Sequence, residues 1–149
     1  MIERYTNPEM GNIWSDQAKY QTWLDVEIAA CEANCKLGKI PQSAMETIRT
    51  KARFKPERIL EIEEEVRHDV IAFLTNVNEY VGDAGRYIHV GMTSSDILDT
   101  GLALRLKSSV KLLRKELLLL EEAIRDLASQ HKKTVMIGRS HAIHGEPIT

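Results

Sequence analysis

DILDTGLALRLKSSVKLLRKELLLLEEAIRDLAS, residues 96–129, decides the fold class. Ala103, Leu106, Val110, Leu113, Leu117, Leu120, Ile124 and Leu127 step alternately by three and four, the spacing of a heptad seam on one helix. A helix of this length runs on the order of 50 Å at 1.5 Å per residue. A second stripe, Leu98, Leu102, Leu112, Leu119 and Ala123, flanks the seam and widens the apolar face. Such a face suits a helix inside a bundle better than a two-stranded coil. One helix cannot bury its own seam, so the remaining bundle helices must come from other subunits or from further sequence. Just upstream, Thr93 with Asp96 forms a start resembling a capping box, with Asp where Glu is commoner.

Upstream of the long element, periodicity and caps predict three or four shorter helices and no alternating strand. Ser15 reads as an N-cap, after which Tyr20, Trp23, Leu24, Ile28, Cys31 and Cys35 share a face until Gly38 and Pro41. Ser43 with Glu46 predicts a capping box, opening a helix that points Met45, Ile48 and Ala52 inward. Pro56 suits a first helical position, and Ile59, Ile62 and Val66 follow at helical spacing. Asp69 reads as a cap for the next helix, with Val70, Phe73, Leu74, Val77 and Val81 facing in and Gly82 ending it. Residues 82–95 read as a loop punctuated by Gly82, Gly85 and Gly91. The expectation is an all-α chain: an N-terminal helical domain over residues 1–92, then residues 93–149 beginning a helical bundle.

The bulk properties exclude several function classes. The 149 residues are 43% hydrophobic and 28% charged, ordinary values for a globular protein. With 20 Lys and Arg against 22 Asp and Glu, the net charge is −2, which argues against sequence-independent nucleic-acid binding. No apolar run approaches the ~20 residues of a membrane span. The charged opening MIERYTNPEM lacks the apolar segment of a signal peptide, so the cytoplasm is the expected compartment. Cys31 and Cys35, four apart on one helix, read as reduced core thiols rather than zinc ligands. The run Glu63, Glu64, Glu65 reads as a solvated helix face.

Three clusters could carry chemistry. In Arg67-His68-Asp69 a histidine lies between a cation and a carboxylate; it could relay a proton, or simply cap a helix. Gly91-Met92-Thr93-Ser94-Ser95-Asp96 puts three hydroxyls at the mouth of the long helix, where free N–H groups and the helix dipole suit a carboxylate or phosphate as well as a plain cap. Gly138-Arg139-Ser140-His141-Ala142-Ile143-His144-Gly145-Glu146-Pro147 is the densest polar cluster, read as a loop or the start of a helix. His141 and His144 lack the HExxH pattern and an adjacent third ligand, so an acid–base role fits better than metal binding. His131, beside Lys132 and Lys133, reads as part of a cationic helix C-terminus.

Together these segments resemble the adenylosuccinate lyase family. The residues are the opening MIERYTNPEM with Ile13-Trp14, the Arg67-His68-Asp69 step, the loop His89-x-Gly91-x-Thr93-Ser94-Ser95-Asp96, and GRSHAIHGEP at 138–147. They occur in the family's order and spacing from Met1 to Thr149. The resemblance implies a fold of the fumarase/aspartase type, in which long helices pack at the centre of a homotetramer and active sites form where subunits meet. It implies β-elimination of fumarate from adenylosuccinate, giving AMP, and from the succinylated aminoimidazole carboxamide ribotide of purine biosynthesis, with no metal or organic cofactor. By position, Arg4 and Tyr5 would contact the nucleotide portion. Arg67, His68 and Asp69 would line the substrate, with His68 close to the reacting groups. Thr93 and Ser94 would bind the succinyl carboxylate. His141 would be the general acid, with Ser140 hydrogen-bonding beside it.

Two departures accompany the resemblance. Ser140-His141-Ala142 stands where the family usually has Thr-His-Gly, and Gly145 and Ile148 replace the commoner Ala and Thr. Ser keeps the hydroxyl, so altered packing rather than lost function is expected. The second departure is absence: the family's serine base lies on a loop rich in Ser, Met, Pro and Lys, far downstream of Thr149. The 149 residues therefore read as part of a longer enzyme, inactive alone. Argininosuccinate lyase and cycloisomerase relatives share the bundle and a similar histidine step, and a non-catalytic helical oligomerisation module is the reading from a different class.

Overall fold

The computed structural model describes residues 2–149, apart from the side chain of Glu3. Met1 and the Glu3 side chain of the opening motif thus lie outside the described residues. The helices are α1 (Pro8–Ile13), α2 (Asp16–Lys36), α3 (Gln42–Lys51), α4 (Pro56–Val66), α5 (Asp69–Val81) and α6 (Ser94–Gln130). Short 3-10 turns occupy Glu3–Tyr5 and Gly82–Tyr87, and strands β1 (Met136–Ser140) and β2 (Ile143–Ile148) follow α6. The chain forms two compact units, Met1–Ser109 and Val110–Thr149, with the division inside α6.

The first unit is built around four aromatic rings. Tyr20 and Trp23 on α2 meet edge to face at 5.3 Å, and Phe73 on α5 stacks on Tyr20 at 6.0 Å. Trp23 also meets Phe73 edge-on at 5.6 Å, and Phe54 closes the cluster at 6.3 Å from Phe73. Ile59, Val70, Val77 and Ile97 complete the core with no exposed surface. The predicted inward faces of α2, α3 and α5 are the buried ones; on α4, Ile59 and Ile62 are buried but Val66 is exposed. The first turns of α6 belong to this core. A Cβ on Gly101 would sit 2.9 Å from Trp23 Cδ1, so α6 crosses α2 at close range. Arg105 Nε donates to the Ile13 carbonyl at 3.0 Å and its guanidinium lies over Trp14, fastening α1 beside the crossing.

Helix starts follow the cap chemistry with two exceptions. Ser15 caps α2 by accepting from the Ala18 N–H, and Pro56 opens α4 as expected. The Ser43–Glu46 capping box does not form: α3 begins two residues earlier, with Pro41 at the cap and no side-chain bond. Nor is Asp69 the cap of α5, a place taken by His68. Helix α1 escaped the periodicity reading because six residues including Pro8 and Gly11 carry no repeat; its signal is Asn7, which accepts from the Met10 N–H.

In the second unit, α6 continues to Gln130 and β1 and β2 form an antiparallel hairpin with a bulge between Ile137 and Arg139. The hairpin corrects the expectation of a loop or helix start. A two-residue connection, with Ser140 paired to Ile143, closes a turn before alternation becomes visible in so short a stretch. The seam lies unburied, as expected of a single helix without its bundle partners: its residues from Leu106 to Leu127 are 47–63% exposed. Phe73→Ala should cost about 3–5 kcal/mol, the usual range for emptying an aromatic core site. Urea denaturation followed by circular dichroism checks this, and a loss below ~1 kcal/mol would deny Phe73 its central place.

Candidate functional site

Arg67 ends α4 in the left-handed conformation, φ 54° and ψ 34°, and its N–H donates to the Glu63 carbonyl. That reversal delivers His68 to the N-cap of α5, where its Nδ1 accepts from the Ile71 N–H at 3.4 Å. Where Nδ1 accepts that N–H, the ring's proton lies on Nε2. Asp69 Oδ1 accepts from the Val70 N–H at 2.7 Å and lies 3.5 Å from His68 Nδ1. All three side chains reach solvent. The structure thus realises the capping reading of His68 and leaves Nε2–H as its available donor.

At the mouth of α6, the Asp96 carboxylate accepts from the Thr93 N–H at 2.8 Å, and the Thr93 carbonyl accepts from the Asp96 N–H at 3.0 Å. The Asp96 half of the predicted capping start therefore forms, while the Asp96 N–H is met by the Thr93 backbone carbonyl. Ser94 and Ser95 occupy the first turn, whose N–H groups have no acceptor within a helix. Arg4 stacks over the Tyr5 ring at 4.8 Å on an exposed 3-10 turn. Among the described residues, no hydrogen bond or ion pair joins Arg4 and Tyr5, the 67–69 step and the Thr93–Ser94 mouth to one another.

Ser140 and His141 lie on the hairpin of the second unit. His141 and Ala142 form its two-residue turn with φ of 51° and 61°. Two positive values in sequence mark a type I′ turn, which Asn-Gly would adopt with little strain. In His and Ala this conformation costs roughly 1–2 kcal/mol per residue. The Ala142 departure is therefore a matter of backbone strain as well as packing. The turn holds the His141 imidazole at an exposed tip, beside the exposed Ser140.

One buried polar residue of the first unit was not singled out in the sequence. Glu27 on α2 is 1% exposed, and its two carboxylate oxygens hold His89: Oε2 accepts the backbone N–H at 3.0 Å and Oε1 lies 2.6 Å from Nδ1. Burial pushes the Glu27 carboxyl above its ordinary value, and the His89 contacts pull it only part of the way back. One turn further along α2, Cys31 Sγ contacts the Tyr87 carbonyl at 3.6 Å, and burial with the nearby Glu27 charge pushes its thiol up to about 11. Cys31 and Cys35 are both free thiols. The signal for Glu27 was a lone carboxylate on the stripe of Trp23, Leu24 and Cys31. No group of three or more His, Cys, Asp or Glu converges on a point among the described residues, and no helix among them is long and apolar enough to cross a membrane.

Residues 3–149 match the protein family described as Lyase. The chain belongs to the lyase family. Among curated lyase relatives, the adenylosuccinate lyase of Synechocystis sp. is 68% identical over all 149 residues. Those of Aquifex aeolicus and Bacillus subtilis are 48% and 47% identical, again across the whole chain. The chain spans about a third of these relatives, 35% of each. Of solved structures, a 3-carboxy-cis,cis-muconate lactonizing enzyme from Pseudomonas putida superposes with a TM-score of 0.87 at 30% identity, over 97% of this chain and 34% of that one. A fumarate lyase from a Mesorhizobium species gives 0.84 at 29% identity, over 95% and 34%. The all-α fold of the fumarase/aspartase type expected from the sequence is the fold observed, with the hairpin added.

The cap at His68 can be separated from any chemistry it performs. His68→Ala should destabilise the first unit by about 0.5–1 kcal/mol, and His68→Asn, a better N-cap, should restore that loss. Chemical denaturation of both variants decides the matter; equal destabilisation would show that the Ile71 contact contributes nothing.

Proposed function

We propose that this lyase-family chain forms part of an adenylosuccinate lyase, eliminating fumarate from adenylosuccinate to leave AMP and from the succinylated aminoimidazole carboxamide ribotide in purine biosynthesis. The observation that carries the reading is 68% identity to the Synechocystis adenylosuccinate lyase along the entire chain. Elimination removes a proton beside a carboxylate, builds negative charge there, and requires a proton for the departing nitrogen. His141 is the proposed general acid, aided by Ser140. Its seat at the tip of a hairpin turn supports this role, because an imidazole there can reach into a site built by other segments. Thr93 and Ser94 are proposed to hold the succinyl carboxylate at the mouth of α6. Arg4 and Tyr5 would bind the nucleotide, with Arg67, His68 and Asp69 as a further binding step. His68 would approach the reacting groups through Nε2–H.

In this reading residues 1–92 serve as the N-terminal helical domain and residues 93–149 open the bundle domain. The enzyme is cytoplasmic and homotetrameric, and the exposed seam of α6 is covered by bundle helices. The serine base belongs to sequence beyond Thr149, as the family resemblance implies.

A chimera tests the proposal: this chain replaces the matching 35% of the Synechocystis enzyme. It should release fumarate from adenylosuccinate, and an inactive but correctly assembled chimera would sink the reading. Within it, His141→Ala should lower turnover by about 10²–10⁴-fold, the usual worth of general acid–base assistance. Retention of more than a tenth of the activity would remove His141 from that role.

The chain by itself should show no lyase activity and should self-associate. Its seam residues, half exposed, offer apolar area worth ~25 cal/mol per Å² when paired. Analytical ultracentrifugation over a concentration series checks this. A monomer persisting at high micromolar concentration with α6 intact would contradict the bundle assignment.

A further inference from the structure

We infer that Glu27 is a positioning residue for the carboxylate-binding mouth of α6, acting by locking the turn at His89 that leads into it. The inference rests on the reading of Thr93 and Ser94 as the succinyl carboxylate site. His89 adopts φ 66°, a conformation that a residue with a Cβ rarely holds without support. Its carbonyl accepts from the Met92 N–H at 3.4 Å, so residues 89–92 close a turn, and Gly91 within it takes φ 77°. Thr93 follows immediately, its N–H engaged by Asp96. The direction in which the chain reaches the helix mouth is therefore set at His89. There Glu27 makes two contacts at once, one to the backbone N–H and one to the ring. Cys31, on the same face of α2, meets Tyr87 two residues earlier, so α2 holds the segment at two points.

A carboxylate is a costly way to fill a core position, since burial opposes its charge. An apolar side chain would satisfy packing alone. What a side chain with two polar atoms at its end can do is hold a backbone N–H and an imidazole together, and so fix both the turn and the ring. Glu27 itself touches no proposed substrate position; it acts through the turn.

The test uses the chimera of this chain with the Synechocystis lyase, measured in both directions. Glu27→Ala should raise KM for adenylosuccinate about tenfold with kcat changed less than about threefold, the signature of lost ground-state binding. In the reverse direction KM for fumarate should rise and that for AMP should not, a split that general loosening of the fold would not produce. Glu27→Gln should recover most of the loss, because its amide oxygen still accepts the His89 N–H and its NH₂ group can face the other imidazole tautomer. Glu27→Asp keeps the charge but shortens the reach by one methylene, and it should raise KM for fumarate even if Glu27→Ala does not assemble.

Ser94→Ala serves as the control. If it raises KM for fumarate while Glu27→Ala and Glu27→Asp leave it unchanged, the positioning role is overturned and the carboxylate site stands. Equal rises for fumarate and AMP, or no recovery in Glu27→Gln, also overturn the role. If Ser94→Ala has no effect, the carboxylate site falls and this inference falls with it.

Discussion

At Gly101 the backbone of α6 approaches α2 so closely that an added methyl would collide with the Trp23 ring at 2.9 Å. Trp23 is itself wedged edge-on against Phe73, so the crossing ties α6 to the aromatic centre of the first unit. The start of α6, with its mouth, is seated against α2 by that contact. Thr93 and Ser94 lie about two helical turns before Gly101, near enough for the crossing to fix where their N–H groups and hydroxyls stand. A glycine is required because α2 offers a rigid ring rather than the flexible end of a side chain.

The same helix then passes into a different environment. Ile97 near its start has no exposed surface, whereas Leu117 twenty residues later is 63% exposed. A helix this long cannot be stabilised from one end by a core of this size. Its later leucines gain nothing until other helices cover them, because the hydrophobic effect scales with apolar area removed from water. His141 likewise stands exposed, on a hairpin whose residues are nearly all exposed.

Polar residues in this chain serve local structure and the candidate site at once. His68 caps α5, Asp96 closes the start of α6, and Glu27 pins the turn at His89. Each satisfies a backbone N–H that would otherwise lack an acceptor, and each lies within or next to a segment proposed to meet substrate. Local hydrogen bonding holds these groups in place before a ligand arrives, which spares ordering cost on binding. Left-handed residues accompany them: Arg67, His89, His141 and Ala142 all have positive φ without being glycine. Such conformations persist only where the surroundings over-determine them.

The long helix, its seam, most of the inward faces of α2 to α5, the cap at Ser15 and the helix starts at Pro56 and Thr93 were legible in the sequence. They rest on spacing and on bonds made within a few residues, which a sequence displays directly. The family resemblance was legible for the same reason, as short motifs in a fixed order. The hairpin was not, because its strands are short and its turn uses His-Ala where Asn-Gly would have announced it. His68 in place of Asp69 as the cap of α5 was decided by the left-handed turn at Arg67, a reversal that leaves no trace in hydrophobic period. The Glu27–His89 pair joins positions 62 residues apart. No local rule connects them; only the packing of α2 against the segment after α5 brings that carboxylate to that turn, and only tertiary structure could decide it.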